Sequence, residues 1–136
     1  MAKSEKKQSN YTATIREASR ELTAKERVMF KDLQNAVSAV DFAKECREND
    51  GKATITVKDW AIVDIHNDSA DNTDYTVYLF VDDAGNKYYT SSEPAWNSFS
   101  NIYAEMKDSN EEWGIEFNLI PSKKYSGKEI LTCSLI

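Results

Sequence analysis

The sequence has one histidine, His66, and two cysteines, Cys46 and Cys133, in 136 residues. A histidine-rich metal centre needs more than one imidazole, and the cysteines follow no C-x-x-C spacing. They read as reduced thiols of a cytoplasmic protein. Cys46 and His66 would be needed together as nucleophile and base, and an unrelated buried thiol and loop-edge histidine is the simpler reading. Glycine is scarce, with four in the chain, and neither G-x-G-x-x-G nor G-x-x-x-x-G-K-[ST] occurs. Phosphate-cradling loops of those types are excluded. No apolar run approaches the roughly 18 residues of a membrane span. The start, Met-Ala-Lys-Ser-Glu-Lys-Lys-Gln-Ser-Asn, is polar, so no secretory signal is expected there. With no catalytic constellation in the chain, an enzyme is not expected.

Hydrophobic residues make up 40% and charged residues 29%, values ordinary for a soluble globular protein. A chain of this length suits one domain that buries roughly two-thirds of its unfolded surface. Net charge is −6, which argues against nucleic-acid binding driven by total charge. The charge is uneven, however. Residues 3–7 hold three lysines against one glutamate, and Lys123, Lys124 and Lys128 cluster near the end. Acid gathers over residues 64–83 and 108–112. Asp64, Asp68, Asp71 and Asp74 lack the spacing and closing glutamate of an EF-hand, so a solvated loop is expected and no metal. Glu111-Glu112 reads as a charged turn. No cofactor is expected.

The one unmistakable helix lies at residues 92–106. Trp96, Phe99, Tyr103 and Met106 fall at i, i+3, i+7 and i+10, one stripe of a 3.6-residue period. Ser91 or Ser92 can cap it, Glu93 suits its positive start, and Pro94 is tolerated in the first turn. Strands are expected at residues 53–66, 74–81, 87–90, 113–120 and 128–136, with turns at 49–51, 82–86 and 121–127. Within 53–66, Ile55, Val57, Ala61, Val63 and Ile65 are expected on one face and Lys58, Trp60 and Ile62 on the other. Residues 25–32 read as a strand with Val28 and Phe30 together. Residues 11–22 suit either a short helix or an ordered arm, and 35–49 is ambiguous, with helical spacing at Val37, Val40 and Ala43. Residues 1–10 read as a mobile polar tail, leaving 11–136 as one domain. The expected class is mainly β with α. An OB-like five-stranded barrel would carry one helix between its third and fourth strands, with a helical or irregular N-terminal region. An α+β roll is the competing architecture.

Aromatic residues interleaved with bases remain. Proteins that hold single strands without sequence preference use a positive groove and stacking side chains, each stacked base contributing about 1–3 kcal/mol. The stacking candidates are Trp60, Tyr78, Phe80, Tyr88 or Tyr89, and Tyr125. Lys58, Lys87, Lys123, Lys124 and Lys128 are the phosphate candidates. Trp60 sits beside Lys58, opposite the better apolar face of its strand. Tyr78 and Phe80 are placed similarly, where a closed barrel would bury them. Tyr125 lies in a turn among lysines and is the least suited to a core. Trp96, Phe99, Tyr103, Trp113 and Phe117 belong to the core by their spacing.

The C-terminal portion resembles the single-stranded DNA-binding proteins of small tailed phages that copy linear genomes by protein priming. The resemblance lies in Val81-Asp82-Asp83-Ala84-Gly85-Asn86-Lys87-Tyr88-Tyr89-Thr90, the helix to Met106, Trp113-Gly114-Ile115-Glu116-Phe117, and the closing Ser122-Lys123-Lys124-Tyr125-Ser126-Gly127-Lys128 turn before the last strand. It covers roughly residues 24–136, with 27–32 set against the family's opening strand; residues 33–49 and the polar arm depart from it. It implies an OB-like fold and coating of displaced single strands during replication in the host cytoplasm, with replication proteins as further partners and no membrane. Of the family's functional residues, the turn lysines and Tyr125 carry over. The alternative is an acidic protein-interaction module, such as a phage inhibitor of a host nucleic-acid enzyme, whose carboxylates mimic phosphates. Leu135-Ile136 on an edge strand suits pairing with another chain, and the oligomeric state stays open.

Overall fold

The computed structural model describes residues 10–136. The polar tail expected over residues 1–10 lies, but for Asn10, outside the described residues. In chain order the elements are β1 (Tyr11–Ala18), α1 (Ala24–Lys31), β2 (Val37–Ser38), α2 (Ala39–Glu48), β3 (Ala53–Ile55), β4 (Val57–Asn67), β5 (Asp74–Asp82), β6 (Lys87–Thr90), α3 (Glu93–Met106), β7 (Ile115–Pro121) and β8 (Glu129–Leu135).

The class is mainly β with α, as expected, but the strands do not close into a barrel. They form a five-stranded sheet, ordered β1-β4-β5-β6-β2, and a three-stranded sheet, ordered β3-β7-β8. The helix expected between a third and a fourth strand lies between β6 and β7. Thr56 alone separates β3 from β4, so one bent strand serves both sheets. Just beyond the bend the ladder slips: Val57 faces Asp82 and Asp59 faces Val81, which leaves Lys58 as a bulge. An extra residue reverses the alternation that follows. Ile55 therefore joins Trp60 and Ile62 in one core, while Ala61, Val63 and Ile65 point to the other. The expectation that Ile55 shares a face with Ala61, Val63 and Ile65 is corrected by this bulge.

Both faces of the five-stranded sheet are buried. On one, Trp60, Ile62, Tyr78, Phe80 and Tyr88 pack against Ala39 and Ala43 of α2, Ala95 and Phe99 of α3, and Ile115 and Phe117 of the small sheet. On the other, Val63, Ile65, Val77 and Leu79 are covered by Leu22 and Phe30. Phe80 and Phe99 are fully buried with ring centroids 4.9 Å apart, each side chain gaining about 1.5–3 kcal/mol from leaving water. The helix at 92–106 forms as expected. Ser92 Oγ accepts from Ala95 N at 3.2 Å and also donates to Leu131 O at 3.0 Å, so the cap ties α3 to β8. Phe99 is the centre of the expected stripe, with Trp96 and Tyr103 partly buried against the same core.

The N-terminal third departs from expectation. Residues 25–32 form α1, not a strand, so the match of 27–32 to an opening strand also fails. Thr23 Oγ1 accepts from Glu26 N at 3.2 Å while Glu26 Oε1 accepts from Thr23 N at 2.9 Å, a reciprocal cap that starts a helix. Val28 is then 67% exposed while Phe30 is buried, so the two do not share a face. Residues 11–18 form an edge strand, neither helix nor arm, because β4 offers them a long apolar partner: Ala13 faces Ile65 and Ile15 faces Val63. The ambiguous stretch resolves as β2 at Val37–Ser38 followed by α2, so Val40 and Ala43 are helical as their spacing suggested and Val37 is not.

Candidate nucleic-acid interface

Most of the aromatic candidates are structural. Trp60 is buried, edge-on to Trp96 and Tyr103 at 5.1 and 5.6 Å. Tyr78 is buried against Trp96, Phe80 against Phe99, and Tyr88 against Phe42 at 4.9 Å. Burial pushes the Tyr78 and Tyr88 phenols above their ordinary range. A ring enclosed in this way has no face to offer a base, which withdraws Trp60, Tyr78, Phe80 and Tyr88 as stacking platforms. Tyr89, on the opposite face from Tyr88, packs against the second core. Lys87 is spoken for as well: its Nζ donates to Met29 O at 2.7 Å and to Asp32 O, capping the carbonyl end of α1.

The lysine-rich turn is different. It hangs from the last residue of β7, Pro121, paired with the first of β8, Glu129. Ser122 N donates to Lys128 O at 2.9 Å, and Ser122 Oγ accepts from Lys124 N at 3.2 Å and Tyr125 N at 3.0 Å. Gly127 turns the chain back at φ 78°, a conformation that suits glycine. The result is a fixed loop that carries Lys123, Lys124, Tyr125 and Lys128 on its outside. Tyr125 is 59% exposed. Lys124 Nζ lies 5.5 Å from its ring centroid, a cation–π placement. Among the described residues, Lys123 and Lys128 have no ion-pair partner. Lys58 is exposed at its bulge. It lies beyond the Ile55–Ile115 end of the small sheet, away from the turn that follows Pro121.

Two cations that sequence reasoning missed join the turn. Helix α2 is capped at Ser38, whose Oγ accepts from Asp41 N at 3.4 Å, and buries Ala39 and Ala43. Its last turn puts Arg47 outside, where Nη1 reaches Glu129 Oε2 at 2.8 Å. The chain then turns through Asp50 at φ 58°, passes Lys52 and enters β3 at Ala53. Strand β3 pairs with β7 only from Ile115 to Phe117, so the edge of β7 beyond Phe117 lies open toward α2. A groove of about 380 Å³ occupies that gap, lined by Arg47, Lys52, Gly51, Asn118, Ile120 and Thr132 among others. The Glu129 carboxylate beside Arg47 holds that guanidinium above its usual range, and Arg47 in turn holds Glu129 below the usual carboxylate range, helped by Lys44. The groove sets Arg47 and Lys52 beside the turn, with Glu116 in its wall and Glu129 on Arg47, and the turn itself is the basic surface, with an exposed aromatic ring on it. The signal for Arg47 was the helical spacing of residues 35–49, which was legible only as an ambiguity.

Carboxylates gather on the β4–β5 loop. His66 Nδ1 lies 2.8 Å from Asp74 Oδ1 and its Nε2 2.7 Å from Asp68 Oδ1. Both nitrogens are engaged by carboxylates, while Cys46 packs on α2 against the first core, so the two make no catalytic pair. The Cys133 thiol is pushed up to about 12 by burial and is inert as a nucleophile. No helix is long and apolar enough to cross a membrane among the described residues. No protein-family model, curated protein or solved structure matches the chain.

Proposed function

We propose that this protein binds single-stranded DNA without sequence preference, through the β7–β8 turn and the groove between α2 and β7. One observation carries the reading: Lys123, Lys124 and Lys128 surround an exposed Tyr125 on a turn with no acid between Pro121 and Lys128. Arg47 and Lys52 line the groove beside it, together with Glu116 and with Glu129 paired to Arg47. Lysines take phosphates and Tyr125 takes a base face, the division of labour that sequence-tolerant binders use. The net charge of −6 opposes long-range attraction, so the local surface must do the binding at short range. The resemblance to phage replication proteins supplies the setting: coating of displaced strands in an infected bacterium's cytoplasm, alongside other replication proteins. The OB-like architecture belongs to this proposal too, with the bent β3–β4 strand and the small sheet standing for the part of a barrel that meets DNA.

The second reading, an acidic interaction module that mimics phosphates, draws on the β4–β5 loop. It is weaker because Asp68 and Asp74 are already held by His66 and Asp64 by Arg16, whereas Lys123, Lys124 and Lys128 have no ion-pair partner among the described residues. Anisotropy of a labelled oligo-dT, titrated with protein at two salt concentrations, tests the first reading. Five phosphate contacts on a single strand predict a log–log salt slope of about −3.5. Absence of binding at low salt would sink it, and retention of a host protein by a strand-blind chain would favour the second.

A further inference from the structure

The lysine turn is rooted on an ion pair. Arg47 Nη1 donates to Glu129 Oε2 at 2.8 Å and Nη2 to Glu129 Oε1 at 3.3 Å. Two roughly parallel N–H···O contacts are also how a guanidinium grips a phosphate. Glu129 follows Lys128 directly and faces Pro121 across the ladder, so its carboxylate stands where the turn meets the groove. It is the first acid after a run, residues 121–128, that has none. Both side chains are open to water, 54% and 36% exposed, so the pair is screened and exchanges readily.

We propose that Glu129 is an internal stand-in for phosphate: its carboxylate holds the Arg47 fork until a phosphodiester of the bound strand takes its place. This inference rests on the single-strand reading above and adds a regulation to it. In the empty protein Glu129 orders Arg47 at the mouth of the groove. In the complex the displaced carboxylate remains a like charge beside the phosphate. Glu129 therefore sets a ceiling on affinity, and the same contact that prepares the site competes with the ligand.

Glu129→Gln removes the charge and keeps the length of the side chain. The expected result is severalfold tighter binding of oligo-dT at low salt, with a salt slope steeper by about 0.7, one single-strand contact. Asp71→Asn, on the exposed β4–β5 loop, removes the same charge far from the turn and controls for net charge. A Glu129→Gln protein that binds no tighter than the Asp71→Asn protein overturns the inference and leaves the single-strand reading standing. Arg47→Lys keeps the charge and loses the fork, and should weaken binding severalfold. Unchanged affinity there overturns the inference as well. If neither the parent chain nor Glu129→Gln binds oligo-dT at low salt, both proposals fall. Melting temperatures taken on each variant confirm that the fold is intact.

Discussion

Tyr78 lies flat against Trp96, with centroids 5.1 Å apart and planes 6° from parallel. The stack joins the centre of the large sheet to α3, and Trp60 meets the same indole edge-on. The rings that a sequence reader would offer to DNA are thus spent on holding helix to sheet.

The cluster makes a stability experiment decisive. Trp60 Nε1 is buried without a hydrogen-bond partner among the described residues. An orphaned donor costs about 1–3 kcal/mol, which offsets part of what the ring contributes by packing. Trp60→Phe is therefore expected to cost no more than about 1 kcal/mol in urea unfolding, whereas Phe99→Ala, which empties a fully buried site, should cost about 3–5 kcal/mol. Equal losses would mean that Nε1 has a partner in solution.

Binding should respond to the turn and not to the core. Tyr125→Ala is expected to lose about 1–3 kcal/mol of binding free energy for oligo-dT with no change in melting temperature. Lys123→Gln and Lys128→Gln should each flatten the salt slope by about 0.7. Lys58→Gln, at the far end of the small sheet, should leave affinity almost unchanged. Full binding by the Tyr125→Ala protein would point to another aromatic.

Lys87 separates the two roles. Its Nζ caps the carbonyls of Met29 and Asp32. Lys87→Gln is expected to lower stability by about 0.5–1 kcal/mol and leave oligo-dT affinity intact. A drop in affinity at unchanged stability would return Lys87 to the DNA surface.

The pH profile follows from His66 and the carboxylates. The Asp74 and Asp68 carboxylates hold the imidazolium above its ordinary value of 6.5. A raised folded-state value means that this stabilisation is complete below 6.5 and is lost as pH rises through the folded value. Melting temperature should accordingly fall as pH rises above 6.5, and His66→Gln should flatten that fall. On the acid side the direction reverses. Arg20 and the Thr23 backbone hold Glu26 down to about 2, so its contribution is present above 4.5 and disappears as pH drops toward 2. Thermal melts across both limbs check the signs.

Elements with strong local signals were legible: α3 from its cap and stripe, the Asp82–Asn86 hairpin, and the strands β5 to β8. The lysine turn was legible because its charges are neighbours in the chain. Residues 25–32 misled because Val28 and Phe30 alternate as a strand would, while the Thr23–Glu26 reciprocal cap that decides the matter spans only four positions. The face assignment of β3 and β4 failed at Lys58, since a bulge depends on the partner strand and Val57 to Asp59 show no mark of it. Arg47 and Lys52 were hidden for a related reason. Arg47 reaches the turn across 82 positions of sequence, through an ion pair with Glu129, and Lys52 comes near it only by lining the same groove. Trp60, Tyr78 and Phe80 looked two-sided because the large sheet is buried on two sides, a context that alternation alone does not reveal.

The junction at Thr56 has a bearing on how the molecule breathes. A strand that belongs to both sheets cannot leave one without tugging on the other. Loosening of the small sheet must then travel through a single residue into the deepest strand of the fold, where Val63 and Ala61 see no water. The small sheet is thus moored to the most deeply buried strand of the fold, and on the proposed reading it would present a stiff surface to a flexible strand and leave the ordering entropy to be lost by the strand alone.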